Sequence, residues 1–379
     1  MNLTFPDVKP VNKLDNWIFN TFKVTPEGLA LSRIFSALFI LFFLIPGSGA
    51  QHFAYLSSMP ADFYKPPPGP MMILDEFPPL YLFQAVHTVI IISLVAVFLG
   101  YYTKWASITA GLSILVLQGF IFSIGKVNHE LLIALVPLVM AYSNWGARYS
   151  IDSIRGKTGL KVESWPLTLL ALFIGFMMFT AGFPKILGGW LDPSTQAVQG
   201  HLYNQFFVRE RDAFLASYFV QFENVLFWEF LDWATIFFEV GFLIAVIRAK
   251  WFKAFVCVAV FFHFSTMMML NIAFLPNFLA YALFLPWKRI YDRIHKIYVK
   301  MSGMTGEKSH YRTVYMFTVP LLIVFIIIRW LSDLNFVLQD SDIYLHESIF
   351  LFIALLTVIY LVFRMVLRSL KGNKVSPVM

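Results

Sequence analysis

The sequence of 379 residues contains a single cysteine, Cys257, and few charged side chains. One cysteine cannot form a disulfide within the chain, a Cys-x-x-Cys redox pair or a haem attachment motif. Dithiol chemistry is therefore excluded, and Cys257, inside an apolar run, is expected to be a small packed side chain. Charged residues make up 13% of the chain, whereas soluble domains carry about 25%. This shortage of charge argues against an ordinary soluble protein.

Several motifs that mark known chemistries are also missing from the sequence. No His-x-x-His, Glu-x-x-His or His-Glu-x-x-His pair lies in an apolar run, so no metal site is predicted. The chain has no Walker lysine loop, no dinucleotide-binding glycine fingerprint and no Gly-x-Ser-x-Gly elbow. Nucleic-acid binding is not expected, because the net charge of +7 comes from basic residues in the loops between apolar runs.

Apolar residues, by contrast, make up 59% of the chain, and phenylalanine alone accounts for 42 positions. Runs of about 17–25 apolar residues predict about ten spans, so we expect an all-α integral membrane protein. The fourth and eighth runs are short, and they predict tilted or re-entrant helices. The predicted spans are Leu29–Ile45, Leu80–Leu99, Ala106–Ser123, Leu131–Ser143, Leu167–Phe183, Leu231–Ile247, Ala254–Leu270, Phe274–Pro286, Val314–Leu331 and Ile349–Phe363.

The distribution of lysine and arginine predicts the orientation of the chain. About ten spans place both termini on one side, and that side holds 23 of the 29 lysines and arginines. By the positive-inside rule we expect a multi-pass protein of the bacterial inner (plasma) membrane with cytoplasmic termini. Residues 1–27 form the predicted cytoplasmic segment, 28–290 the main membrane domain, and 291–379 two further spans with a basic loop and tail. Residues 186–230 mix charges with aromatic side chains, which predicts interfacial helices on the outer face.

The candidate functional residues are ionisable side chains in or beside the apolar runs. Lys185 ends the fifth run, and a charge at the centre of a membrane helix costs about 3 kcal/mol, so it needs a partner or a function. His129 lies at the start of the fourth run, Glu239 near the middle of the sixth and His263 in the seventh. The predicted topology places Lys185, His129 and His263 toward the outer side and Glu239 near mid-depth, an arrangement suited to proton transfer.

Each of these residues also has a structural interpretation. His129 either takes part in chemistry or caps its helix, and His263 is equally open to both interpretations. Glu239 must be either protonated or paired, and a contact with His263 on the next span is predicted. Lys126, beside His129, is interpreted as a lysine that extends to the membrane interface.

Three stretches resemble the HTTM (horizontally transferred transmembrane) domain family, which includes the vitamin K-dependent gamma-glutamyl carboxylases. The resemblance extends over about residues 28–290, and it depends on the order and spacing of these stretches. The first is Asn128–Leu132 running to Ala147–Asp152, the second is Ala181–Trp190, and the third is Phe262-His263 with the following Leu270–Phe274.

The resemblance implies a role for each matched residue. It places Lys185 at the position of the proposed catalytic base, which in the carboxylases is thought to deprotonate vitamin K hydroquinone. His129, with Asn128, would orient or stabilise the developing anion. The side chains implied to line the substrate or cofactor pocket are Glu239, His263 and Trp190.

The leading functional hypothesis is therefore a membrane-embedded enzyme, carboxylase-like or quinol-dependent and oxidoreductase-like, with Lys185 as general base. The expected substrate is quinol-like or otherwise lipid-soluble, and the expected cofactor is a reduced quinone similar to vitamin K hydroquinone. The expected partners are the lipid bilayer, a lipid-soluble small molecule and a secreted peptide or protein. The alternative hypothesis is a non-catalytic membrane accessory protein for peptide maturation, export or partner binding.

Overall fold

A computed structural model describes residues 12–45, 49–125, 130–339 and 343–372. Every regular element within these ranges is helical, so the all-α prediction is confirmed for them. In chain order the helices begin with α1 (Lys13–Asn20), α2 (Pro26–Phe39), α3 (Gly49–Ser57), α4 (Leu80–Leu99), α5 (Thr103–Ile121), α6 (Leu131–Met140), α7 (Ile151–Ile154) and α8 (Trp165–Leu187). They continue with α9 (Ala197–Tyr203), α10 (Ala216–Phe219), α11 (Val225–Ala245), α12 (Ala249–Leu270), α13 (Leu275–Ala282), α14 (Trp287–Ser302), α15 (Glu307–Gln339) and α16 (Leu345–Gly372).

Seven helices in the described ranges are long and apolar enough to cross a membrane. They are α2 with the π-helical turn that extends it to Leu44, α4, α5, α8, α12, and the segments Glu307–Leu334 of α15 and Leu345–Arg364 of α16. The predicted short runs are confirmed, because α6 has 10 residues and α13 has 8. The number of about ten spans stays a prediction.

The sixth predicted span begins six residues later than its helix. It was expected over Leu231–Ile247, whereas α11 begins at Val225 and ends at Ala245. The additional first turns contain Glu229, and Asp232 lies just after them, so hydropathy alone places the start of the helix too late. With Glu239, these acidic residues also keep α11 outside the set of strongly apolar helices.

The described residues divide into two compact units along the chain. The first unit comprises Met1–Met177, Val246–Ala249 and Pro276–Arg329, and the second comprises Met178–Ala245, Lys250–Leu275 and Trp330–Met379. Within the first unit, α4, α5 and α6 pack in succession, and α2 packs against α4 and α14.

A buried polar cluster holds the first unit together near the end of α4. Gly100 ends that helix with φ +69°, and a Cβ added there would lie 2.1 Å from Nη1 of Arg33. Arg33 is fully buried and donates a hydrogen bond of 2.6 Å to the carbonyl of Tyr149. Asp152 accepts from the backbone N–H of Thr103 at 2.7 Å, which caps the start of α5. The Ala147–Asp152 stretch therefore has a structural role in this unit.

The second unit contains the end of α8, α9 to α11, α12 from Lys250 onward, the end of α15 and α16. Its aromatic core forms around Leu202, Ala216 and Trp228, which are all fully buried. The helices predicted within residues 186–230 are present as α9, its π-helical continuation over Asn204–Val208, and α10. Their position at a membrane interface stays a prediction.

Candidate functional site

An ion pair between Lys185 at the end of α8 and Glu239 on α11 forms the centre of the candidate site. Nζ of Lys185 lies 2.6 Å from Oε1 and 2.6 Å from Oε2 of Glu239, so the ammonium group donates to both oxygens. The side chain of Glu239 is 6% exposed and that of Lys185 is 23% exposed. The structure thus gives Glu239 a partner, and this partner is Lys185 on the fifth apolar run. The contact predicted with His263 stays a prediction.

Gly182 explains how α8 and α11 come close enough to form this pair. It precedes Lys185 by one helical turn, and a Cβ added at Gly182 would lie 2.8 Å from Cβ of Glu239. The same atom would lie 3.1 Å from Cγ2 of Val240. Any larger side chain would push the two helices apart, so glycine sets their close approach at the level of the ion pair.

The end of α8 places Trp190 against Lys185. Gly189 adopts φ +79°, and its N–H donates to the carbonyl of Ile186 at 3.3 Å. The N–H of Trp190 donates to the carbonyl of Lys185 at 3.1 Å, which completes a Schellman motif. The chain therefore reverses at glycine, and Nζ of Lys185 lies 4.8 Å from the centroid of the Trp190 ring. At that distance the indole stabilises the ammonium charge by a cation–π contact.

An open recess adjoins this tryptophan. The rings of Trp190 and His201 are 5.3 Å apart between centroids. The recess has a volume of about 400 Å³, and it is lined by Trp190, Ala197, Gly200, His201 and Asn204. Trp190 contacts Lys185 of the ion pair and also lines the recess. His201 carries no signal in the sequence, because its proximity to Trp190 depends on the reversal at Gly189 and on the position of α9.

Asp232 holds α9 beside the recess. It is fully buried on α11, and its carboxylate accepts from the backbone N–H groups of Ala197 at 2.8 Å and Val198 at 2.7 Å. These N–H groups belong to the first turn of α9, which has no intrahelical partners for them. Asp232 precedes Glu239 by seven residues, or about two helical turns, so both carboxylates lie on one face of α11. The signal for Asp232 in the sequence was a second acidic residue in the same apolar helix.

The loop between α8 and α9 is also ordered by its own side chains. Asp192 accepts from the backbone N–H of Ser194 at 2.9 Å and from its hydroxyl at 2.8 Å. Both hydrogen bonds hold the pKa of Asp192 below its usual range, and the backbone hydrogen bond has the larger effect. The hydroxyl of Thr195 donates to the carbonyl of Gly189 at 2.7 Å, so the loop closes onto the end of α8.

The remaining predicted site residues are placed as follows. His263 is buried on α12, and its ring packs 4.8 Å from that of Phe274 and 5.6 Å from that of Phe262. Asn128 and His129 lie outside the described residues, as does Lys126. Among the described residues, no group of three or more histidine, cysteine or acidic side chains could hold a metal ion.

Comparisons with known proteins give one positive result. A family model, the HTTM domain, matches residues 23–287, which is more than half of the chain. Neither the comparison with curated proteins nor the comparison with solved structures returned a match.

Proposed function

Because this chain belongs to the HTTM family, we propose that it is a membrane-embedded enzyme acting on a quinol-like or other lipid-soluble substrate. The family and the apolar helices of the described ranges identify a multi-pass integral membrane protein. Lys185 is the general base in this proposal. The observation that carries it is the ion pair itself, in which a partly exposed Lys185 is bound to a buried Glu239 beneath Trp190.

The pair offers a way to form a neutral amine without moving charge across an apolar environment. The hydrogen bonds between Nζ and the carboxylate oxygens are 2.6 Å long, and hydrogen bonds between charged groups of this length are strong. Transfer of one proton from Lys185 to Glu239 converts the ion pair into a neutral amine and a neutral carboxylic acid. The two charges that are costly to bury then disappear together. The amine of Lys185 can next accept a proton from a substrate hydroxyl, and the resulting ammonium stabilises the anion.

The residues around the recess fit an aromatic, weakly acidic ligand. A volume of about 400 Å³ lies within the range of about 300–1,000 Å³ that small-molecule sites have. Trp190 and His201 line this space, and Lys185 lies against the indole. A bound reduced quinone would supply a phenolic hydroxyl and a two-electron redox couple. Asn128 and His129 are proposed to orient the anion, as the family resemblance implies, and His263 to line the pocket.

The proposed reaction is tested by quinol consumption in proteoliposomes that contain the full chain. The variant Lys185→Arg keeps the positive charge and can bind both carboxylate oxygens, but arginine does not release its proton at accessible pH. We expect wild type to consume a naphthoquinol under air faster than empty liposomes, and Lys185→Arg to reduce the rate to that of empty liposomes. Lys253→Arg, at an exposed position of α12, is the matched control and should keep the wild-type rate.

Two further measurements complete this test. A parallel sample under argon shows whether oxygen is the electron acceptor, and mass spectrometry of lipids that copurify with the protein identifies a bound quinone. Equal rates for wild-type and empty liposomes across naphthoquinols and benzoquinols, with no copurifying quinone, would exclude the quinol substrate.

The rival proposal is a non-catalytic accessory protein that acts on a secreted peptide or another partner. Both oxygens of Glu239 already bind Lys185, so the pair can equally serve to hold α8 against α11. In that case Lys185→Arg should retain full biological activity, since arginine forms the same bidentate contact.

The orientation with cytoplasmic termini in a bacterial plasma membrane is part of the proposal. It is tested in a Cys257→Ala background with single cysteines at Pro60 or Lys300. We expect a membrane-impermeant thiol reagent to label position 60 from outside and position 300 only from the cytoplasmic side. Labelling of position 60 from the cytoplasm alone would reverse the assignment.

A further inference from the structure

The first turns of α15 form a cationic recess that the proposed function does not use. The recess has a volume of about 460 Å³ and belongs to the first unit. Lys308 and Arg312 are exposed, and neither forms an ion pair with any residue that the structure describes. Tyr311, Tyr315 and Met304 complete its walls. Two cations without a protein counter-charge, beside two phenol groups, form a site for an anion.

The face of α15 that carries these cations continues as an apolar surface. Lys308, Arg312, Tyr315, Val319 and Ile323 follow at helical spacing, so they lie on one side of the helix. Val319 is 50% exposed and Ile323 is 51% exposed, so both are open to lipid. The order along this face is positive charge, phenol and then aliphatic side chains. A phospholipid has the matching order of phosphate, glycerol backbone and acyl chain.

The neighbouring helix α14 has the pattern of a helix that lies in a membrane interface. Its buried face includes Trp287 and Tyr291. Two further stripes at helical spacing lie side by side on the rest of its surface, one basic and one apolar. The exposed basic stripe consists of Arg289, Arg293, Lys296 and Lys300. The apolar stripe consists of Ile290, Ile294, Ile297 and Met301.

Direct contacts hold α14 and the start of α15 together. The hydroxyl of Tyr291 and Nδ1 of His310 form a hydrogen bond of 2.6 Å. Nδ1 of His295 and the hydroxyl of Thr313 form another of 2.8 Å. The rings of His295 and His310 stack with centroids 4.3 Å apart. These contacts fix the start of α15, and with it Lys308 and Arg312, against α14.

We propose that this recess binds an anionic phospholipid, with the phosphate diester on Lys308 and Arg312 and an acyl chain along Val319 and Ile323. The two cations favour a lipid with net negative charge over a zwitterionic lipid, because each of them attracts the anionic headgroup. The apolar continuation of α15 favours a lipid over a free phosphate compound. This site is separate from the Lys185–Glu239 pair, so the proposal does not depend on the proposed enzymatic function.

The test measures lipid binding by native mass spectrometry of the full chain in detergent. Phosphatidylglycerol and phosphatidylcholine with the same acyl chains are titrated separately, with glycerol 3-phosphate as a headgroup without chains. We expect a clear preference of wild type for phosphatidylglycerol. In Lys308→Gln/Arg312→Gln, its affinity should fall about thirtyfold, or about 2 kcal/mol at about 1.4 kcal/mol per factor of ten. The control Lys250→Gln/Lys253→Gln removes two exposed cations from α12 and should keep the wild-type affinity.

Two further variants keep this test independent of folding. The swap Lys308→Arg/Arg312→Lys retains both charges and should bind within a fewfold of wild type. If the double glutamine variant does not fold, Arg312→Gln alone should lower the affinity about fivefold.

Three results would overturn the proposal. Equal affinity for the two phospholipids would show that negative charge is not recognised. An unchanged affinity in the folded glutamine variants would show that the lipid binds elsewhere. Binding of glycerol 3-phosphate as tightly as phosphatidylglycerol would show that the site takes a soluble anion.

Discussion

Gly182→Ala tests the helix contact on which the candidate site depends. The new Cβ would lie 2.8 Å from Cβ of Glu239, whereas carbon atoms in contact are about 3.5–4.0 Å apart. To reach that distance, α8 and α11 must separate locally by roughly 0.7–1.2 Å. Cβ of Glu239 is bonded directly to the α11 backbone, so no change of side-chain rotamer relieves the contact. The nearby Cγ2 of Val240, at 3.1 Å, adds to the crowding.

Two effects of opposite sign determine the stability of this variant. Overpacking of a close contact costs about 1–3 kcal/mol, and alanine is about 1 kcal/mol more favourable than glycine inside a helix. We therefore expect Gly182→Ala to lower the free energy of unfolding by about 1 kcal/mol. The separation also stretches the contact between Lys185 and Glu239, so the quinol consumption proposed for the wild type should decrease.

Gly200→Ala provides the matched comparison. Gly200 is also inside a helix of the second unit, but a Cβ there would meet no heavy atom within 4 Å. This variant should be at least as stable as wild type, and its free energy of unfolding should rise by up to about 0.5–1 kcal/mol. Reversible unfolding in mixed SDS and detergent micelles measures both variants. If they unfold at the same SDS fraction, α8 and α11 do not approach as closely as described, and the reasoning is wrong.

Four further predictions follow from contacts described above. Lys185→Met leaves the buried carboxylate of Glu239 without its partner and should cost about 3–5 kcal/mol of unfolding free energy in mixed micelles, most of which Glu239→Gln should restore in the double variant. Glu239→Gln alone should fold, since glutamine keeps volume and hydrogen bonding, but it should lose quinol consumption. Asp232→Asn keeps only one acceptor oxygen for two N–H groups of α9, so it should cost about 1–3 kcal/mol and accelerate hydrogen–deuterium exchange in that helix. Burial lowers the pKa of His295, and the charge of the neighbouring His310 lowers it further. The unfolded chain therefore binds this proton more readily, so the unfolding free energy should fall as the pH decreases below about 7, and His295→Gln should flatten that decrease in thermal unfolding.

The ionisable residues of the site were visible in the sequence because such residues are rare in apolar runs. Lys185 and Glu239 stood out for this reason, and Trp190 followed from the family resemblance. Their pairing was not predictable, since it depends on which helices touch, and Gly182 carries no signal of its partner helix. The boundaries of strongly apolar helices were predicted well, as for Leu80–Leu99. Glu229 in the first turns of α11 concealed its start, and Asp232, the carboxylate that positions α9, follows it on the same helix.

The arrangement on α11 has a mechanical consequence. Asp232 fixes α9 at one point of this helix, and Glu239 binds Lys185 about 10 Å farther along the same face. A helix transmits rotation about its axis along its whole length, so any movement of α9 that turns α11 also turns the carboxylate that holds the lysine. If occupancy of the recess turns α11 in this way, it is thermodynamically linked to the protonation of the ion pair. A ligand that shifts the proton between Lys185 and Glu239 must itself bind more tightly to one protonation state, by the same free energy.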